Sequence, residues 1–425
     1  MLDYFQFMGI FIAVLILALA FLGAPVFSLI GAGALYLFGA ADIDSSAVIV
    51  EMLRLASLPA LIAIPLFTFA GYVLAESNSP KRMLKLGSAL FGSLPGGMAI
   101  AALVATAIFT AFTGASGVTI IALGGLLYPM LTKQGYPEKF TLGLLTTTGS
   151  LGLLFPPSLP IILYGLIAKI SIDALFKAAL LPGIFLLAVL SVYALVTAKK
   201  AGIKKQPFSW AELKSAVRET AWQLPLPFIV IGGIYKGLFT ASEAASIMAF
   251  YVLITEVFIY RELDLFRDIP KIAVKSMMLV GAIFVVLGTA LGFTNYLIDA
   301  QIPDKIFALL HSFVSSKVLF LVILNAFLLV INMVEIFSAI IIVVPIIVPV
   351  AMNYGIDPIH LGIIFLLNLE IGYMTPPLGL NLFLSSSRFD KKLPELYLAT
   401  MNFWFILLGV LALVTYFPAL FFIKP

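Results

Sequence analysis

In an otherwise apolar stretch, Thr110, Thr113, Ser116 and Thr119 supply closely spaced hydroxyls, interleaved with Gly114 and Gly117. Hydroxyls beside glycines, where a ligand can reach the backbone, suit binding of an ion or a small polar solute. Ser158, Thr375 and Asn381 flank two Pro-Pro pairs, Pro156-Pro157 and Pro376-Pro377. Asn332, Glu335 and Glu370 rank highest among the polar side chains set deep in apolar runs. An acid at bilayer depth is costly and by default functional. Glu335 could sit near a cation, cap a helical tip or make a structural hydrogen bond. Amides and hydroxyls can hold a carboxylate, and carbonyl oxygens can hold Na⁺. Catalytic chemistry has no comparable support. The chain has no cysteine, and its two histidines, His311 and His360, have no Glu or His at ligand spacing. No acid pair or Ser-His set stands on facing helices, which argues against an intramembrane enzyme. No ring of like residues points to a channel.

Serine and threonine in membrane helices also bond back to their own backbone, and a lone glycine kink can be packing. A repeat argues for more. Pro129 and Pro349, Gly135 and Gly355, Gly152 and Gly372, Pro156 and Pro376, and Pro157 and Pro377 all stand 220 residues apart. Each Pro-Pro pair removes two backbone donors and clashes with the preceding turn, so each helix must unwind where freed carbonyls cannot face lipid. Paired interrupted helices at matching places in two halves point to the binding site of a secondary transporter. Half-helix N-termini there suit carboxylates, and half-helix C-termini with unwound carbonyls suit Na⁺.

The elements that must position these groups are membrane spans. Of the 425 residues, 62% are hydrophobic and 11% charged, with a mean hydropathy of +1.15, far from a soluble domain. Apolar runs predict spans near 5–22, 25–40 and 59–77, with the N-terminal run read as a retained helix because its leading residues carry Asp3 and no Lys or Arg. Residues 95–131 read as a re-entrant hairpin broken at Thr113–Gly117, and 140–168 as the first broken helix. Spans follow near 174–198, 223–240, 243–260 and 276–298, with an amphipathic piece at Phe208–Glu219 between the first two. An amphipathic piece near 303–314, a second hairpin at 317–352 with its tip near Asn332–Ser338, a second broken helix at 360–387 and a last span at 397–422 complete the order. Glu243 reads as a first-turn acid behind a Thr240 or Ser242 cap. If the first hairpin opens to the cytoplasm, 18 Lys and Arg lie inside and 7 outside, so both termini face the periplasm or exterior. The two hairpins then open to opposite faces. The basic runs at 199–205 and 388–392 read as topology determinants, with lipid or partner contact as the alternative.

The expected fold is an all-α polytopic membrane protein, an inverted-repeat transporter with two re-entrant helical hairpins and two discontinuous helices. At these residues the sequence resembles the large membrane subunit of tripartite ATP-independent periplasmic (TRAP) transporters. The resemblance is carried by Gly135-Tyr-Pro, Gly149-Ser-Leu-Gly-Leu-Leu-Phe-Pro-Pro-Ser-Leu-Pro, Leu180-Leu-Pro-Gly183, Gly237-Leu-Phe-Thr-Ala-Ser-Glu-Ala-Ala245, Gly355-Ile-Asp-Pro-Ile-His-Leu-Gly362 and Asn368-Leu-Glu-Ile-Gly-Tyr-Met-Thr-Pro-Pro-Leu-Gly-Leu-Asn-Leu-Phe383.

The resemblance implies an elevator of the ion-transporter-superfamily type in a bacterial inner membrane. Scaffold helices would be 1–80 and 171–300, transport repeats 88–170 and 303–390, with a final helix at 395–425. It implies Na⁺-driven uptake of an organic acid anion, a dicarboxylate, sialic acid or sulfonate among them, delivered by a separate periplasmic binding protein, with a small four-helix membrane subunit bracing the scaffold. One Na⁺ site would use Thr110, Thr113, Gly152, Phe155 and Pro157, and its mirror Ile331, Gly372, Thr375 and Leu378. Ile331 stands where relatives commonly have Gly, and can offer only its carbonyl. Thr113, Gly114, Ser116, Gly117, Ser158, Asn332, Glu335 and Asn381 are the expected substrate contacts. The alternative is a stand-alone divalent-anion/Na⁺ symporter working without a binding protein.

Overall fold

The computed structural model describes residues 24–44, 46–55, 58–205, 207–332, 336–421 and 423, with isolated positions before residue 24. The span expected at 5–22 lies largely outside the described residues, as does Glu335. Among the described residues six helices are long and apolar enough to cross a membrane, or up to eight if each bent pair is one span.

The chain opens with α1 (Val26–Ala40), α2 (Ser46–Leu55) and α3 (Ala63–Glu76), then a short connector, α4 (Ser79–Phe91). The first hairpin is α5 (Gly97–Thr113) and α6 (Ser116–Lys133), joined through Gly114 at φ +66°, a left-handed conformation that glycine adopts without strain. α7 (Glu138–Leu151) tightens into a single turn at Gly152–Leu154, runs extended at Phe155, and restarts as α8 (Leu159–Ile167), bent by 44°. Leu159-Pro160 starts that half-helix well, because proline in a first turn removes only a donor that has no partner there.

Next come α9 (Ile172–Lys200), α10 (Trp210–Thr220), α11 (Pro225–Tyr235), α12 (Ala241–Ile259) and α13 (Ile269–Asp299). Thr240 caps α12 in a reciprocal box with Glu243, as the sequence pattern predicts. The second unit repeats the first: connector α14 (Ile302–Phe313), hairpin α15 (Lys317–Ile331) and α16 (Ile336–Asn353), then α17 (Pro358–Gly372) broken before α18 (Leu380–Phe389), and finally α19 (Leu393–Tyr416). Gly135 and Gly355, at matching places, both take positive φ.

Two groups pack within themselves and also on each other, α3 on α5 and α13 on α16. α3 lies against α12 and α13, and α13 also against α1 and α2. The hairpins and broken helices pack on one another, α8 on α16 and α5 on α7. α9 lies against α5, α8 and α17, because its apolar length and small residues such as Gly183, which receives the Phe155 ring, fit it to the broken helices. α19 likewise packs on α7 and α17, with Gly143 so close to Ala399 that a Cβ there would stand 2.2 Å from its carbonyl oxygen. Close approach at small residues is how membrane helices associate, since lipid is as apolar as leucine.

Several basic loops meet at one end. Arg82 of α4 pairs with Glu256 (2.8 Å) and Glu262, Gln223 donates to Glu256 (2.9 Å), and the Arg82 guanidinium lies 3.8 Å from the centre of the Tyr260 ring. Lys85 pairs with Glu219, and Lys275 with Glu76 at 2.6 Å. Glu256 is fully buried, so the node is a desolvated one. Composition alone did not reveal it, because its members are scattered over residues 76–275.

Candidate functional site

The breaks and tips come together in pairs. A Cβ added at Gly152 would stand 2.3 Å from the Ala107 carbonyl oxygen, 2.4 Å from the Ala111 nitrogen and 2.5 Å from the Thr110 Cβ. One at Gly372 would stand 2.4 Å from the Asn332 carbonyl oxygen. The C-terminal end of α7 therefore meets the end of α5, and that of α17 meets the end of α15. Helix C-termini carry partial negative charge and unsatisfied carbonyls, so each junction is suited to a cation.

Around the first junction, Thr110 Oγ1 lies 2.7 Å from Thr119 Oγ1 and donates to the Gly149 carbonyl at 3.0 Å. Thr113 and Ser158 are fully buried, and among the described residues their hydroxyl oxygens have no partner. Buried polar atoms are rarely left so. Thr110 stands against Gly152, whose carbonyl accepts from the Phe155 N–H (3.0 Å), while Phe155 turns its ring to α9 and Pro157 is buried in the break. The second set is less gathered. Gly372 and the half-buried Ile331 adjoin Asn332, whose side chain is buried without a partner among the described residues. The Thr375 hydroxyl is committed to the Ile371 carbonyl (2.8 Å) and accepts from Trp404 Nε1 (2.9 Å), and Leu378 is exposed. Only backbone oxygens of those two could reach an ion.

Helix N-termini gather at a different place. A cavity of about 470 Å³ is lined by Gly114, Ser116, Gly117 and Val118 at the start of α6, Phe337 at the start of α16 and Leu380 at the start of α18. Leu153 and Tyr373 bring the two breaks to the same wall, and Tyr72 of α3 and Ile283 of α13 close it from the other helix group. The N-terminal ends of α6 and α18 on this cavity favour an anion, each by about 0.3–1 kcal/mol when exposed and more when buried, and the α5 C-cap at Gly114 opposes them in part. Of the expected substrate residues, Gly114, Ser116 and Gly117 line this space. Thr113, Ser158, Asn332 and Asn381 are not among its lining residues. A separate cavity of about 280 Å³ between α4, α5 and α11 has almost wholly apolar walls and offers an ion nothing.

Asn381 serves as a tie between halves: its Nδ2 donates to the Thr146 carbonyl (3.0 Å) and Ser150 Oγ (3.2 Å) of α7. Thr146 Oγ1 donates to Ser385 Oγ at 2.9 Å beside it. Sequence reasoning passed over Thr146 and Ser150, although Thr146-Thr147-Thr148 inside an apolar helix was the available signal. It also passed over Gly71, where a Cβ would stand 2.2 Å from the Phe112 carbonyl oxygen at the first tip. Glu370 is fully buried, and neither carboxylate oxygen has a partner among the described residues. His360 Nε2 lies 3.0 Å from the Val414 carbonyl, and its Nδ1 is buried without a partner among the described residues.

Helices interrupted inside a multi-span bundle, with polar ends turned onto one cavity, define a membrane permease and not an enzyme. Residues 11–420 match the family described as the tripartite ATP-independent periplasmic transporter, DctM component, and the chain belongs to that family. It is 33% identical over 423 residues to the C4-dicarboxylate TRAP transporter large permease protein DctM of Rhodobacter capsulatus, covering 96% of each chain. It is 35% identical over 367 residues to the isethionate TRAP transporter permease protein DctMQ of Oleidesulfovibrio alaskensis, covering 85% of this chain and 57% of that one. The crystal structure of the Alcanivorax borkumensis YdaH transporter shares the fold, with a TM-score of 0.63 over 88% of each chain at 14% identity.

Proposed function

We propose that this permease takes up a small organic acid anion by Na⁺-coupled alternating access. The reading rests above all on one observation: the starts of α6, α16 and α18 share a cavity with both helix breaks, while the C-terminal ends meet in pairs beside it. The anion is held by backbone amides and the Ser116 hydroxyl, since no arginine stands at the first tip. Na⁺ is held at the first junction by Thr110, Thr113 and Gly152, and at the second by backbone oxygens of Ile331, Gly372, Thr375 and Leu378. When bound, the ion supplies positive charge that offsets the carbonyl ends and favours an anion nearby. The substrates named for the relatives, C4-dicarboxylate and isethionate, support an acid anion as the cargo.

The two units run in opposite senses across a bacterial inner membrane, with both termini periplasmic, and the hairpin and broken-helix group moves against α1–α3 and α11–α13 as an elevator. In that motion the faces that slide are the ones α3 and α13 share with α5 and α16. A periplasmic binding protein delivers the anion, and a small membrane subunit, the part that the fused name DctMQ suggests, braces the fixed group. Uptake in proteoliposomes tests the reading. Flux should need a Na⁺ gradient, the binding protein and the small subunit together. Equal flux without Na⁺ refutes the coupling, and flux from this chain alone refutes the tripartite reading in favour of a stand-alone symporter.

A further inference from the structure

α10 has three distinct faces. Ser209, Leu213, Ala216 and Thr220 turn inward and pack on α4. By helical steps of about 100°, Trp210, Lys214, Val217 and Arg218 share another face. All four are exposed, Trp210 to 75% of its surface. Glu212 and Glu219 fall roughly opposite Trp210. Glu219 pairs with Lys85, whose hydrogen bond holds its carboxyl below the usual range, and Glu212 lines a crevice with Lys81 and Lys85. The acids are thus turned toward lysines of α4 and away from the tryptophan face.

The neighbours of α10 bound its level: the apolar α9, long enough to span, ends at Lys199 and Lys200, and the apolar α11 begins at Pro225, so the polar helix between them belongs at the bilayer edge. Phe208 packs edge-on to Trp210 with ring centres 5.1 Å apart, and both rings are exposed. Lys204 and Lys205, also exposed, stand just ahead. Aromatic rings with an apolar body and a polar edge settle at the headgroup level, and basic residues beside them select anionic lipid.

We propose that the Phe208, Trp210, Val217 and Lys214/Arg218 face of α10 docks on anionic phospholipid headgroups. The helix then works as a lipid-seated clamp on α4: Ala216 and Thr220 are buried on the side that packs on α4, Lys85 pairs with Glu219, and Tyr260 donates to the Glu219 carbonyl (2.8 Å). This rests on the membrane reading alone and not on the coupling ion or the cargo.

The full chain, reconstituted with the small subunit, carries the test. Tryptophan emission is compared between the parent and Trp210→Phe, in vesicles of phosphatidylcholine or phosphatidylglycerol brominated at shallow or deep acyl positions. The emission lost in Trp210→Phe should be quenched more by shallow bromines, and more by brominated phosphatidylglycerol. Lys214→Gln and Arg218→Gln should each lower that lipid preference about five-fold, with folding checked by the unchanged emission of Trp222 and Trp404. An unquenched Trp210 component would place the face in water or under the small subunit and overturn the proposal. So would deep quenching, or a lipid preference unmoved by removing both charges.

Discussion

Gly152→Ala adds one methyl group at the point where the first break meets the first hairpin. Its nearest neighbours would be the Ala107 carbonyl oxygen at 2.3 Å, the Ala111 nitrogen at 2.4 Å and the Thr110 Cβ at 2.5 Å. Two of these are backbone atoms within α5, so no flexible side chain can swing aside. Overpacking costs about 1–3 kcal/mol where a core can shift, and a rigid backbone neighbour puts this site at the upper end. About 3 kcal/mol is a factor of more than one hundred in the equilibrium between the closed junction and any state that opens it. Gly372→Ala should behave alike, since its Cβ meets the Asn332 carbonyl oxygen at 2.4 Å. Gly281→Ala in α13 and Gly409→Ala in α19 have nothing within 4 Å and serve as controls, expected to be neutral or to stabilise by up to about 1 kcal/mol. Detergent-denaturation midpoints and initial uptake rates should therefore fall for the first pair and hold for the second. A Gly152→Ala protein with parental stability and uptake would mean that the junction is not closed as described, and the pairing of breaks with tips would be refuted.

Arg82→Gln should cost about 3–5 kcal/mol in the denaturation midpoint, because it strips the cation from the fully buried Glu256; Arg82→Met with Glu256→Met should recover much of the loss. On the proposed coupling, Thr110→Val removes the hydroxyl shared with Thr119 and the Gly149 carbonyl, so half-maximal uptake should need several-fold more Na⁺. An unchanged Na⁺ dependence would remove Thr110 from the ion site. Asn381→Leu loses two hydrogen bonds to α7, worth about 0.5–1.5 kcal/mol each, and should lower stability and maximal rate together. Ser116→Ala, on the cavity wall, should instead raise the apparent KM for the anion and leave stability alone.

What could be read from the chain, and what could not, follows from the range of the forces involved. Pro156-Pro157 and Pro376-Pro377 act on their own turns, and Gly114, Gly135 and Gly355 on their own φ, so the helix breaks and the turn at Gly114 were legible to within a few residues. Contacts made across the fold were not. Asn381 could be placed beside a break, but its use as a tie depends on Thr146 and Ser150, more than 200 residues away. Arg82 was counted as a topology charge, and only folding brings Glu256 and Glu262 to it. The same distinction separates the two units. At the 220-residue offset Gly152 matches Gly372, yet Ser150 matches Glu370 and Asn381 matches Ile161. Ser150 accepts from Asn381, whereas Glu370 is buried with no partner among the described residues. Unwinding a membrane helix places the same demand on the backbone in both halves, and both meet it with glycine and proline. The polar side chains face no such shared demand. Two halves that bend alike but differ in polar content make the two proposed ion junctions unequal, with Thr110 and Thr113 hydroxyls at the first and backbone oxygens at the second. If Na⁺ binds at both, the first should bind more tightly, and Thr113→Val should weaken one class of site in equilibrium Na⁺ titrations while leaving the other unchanged. A single class, weakened as a whole, would contradict that asymmetry.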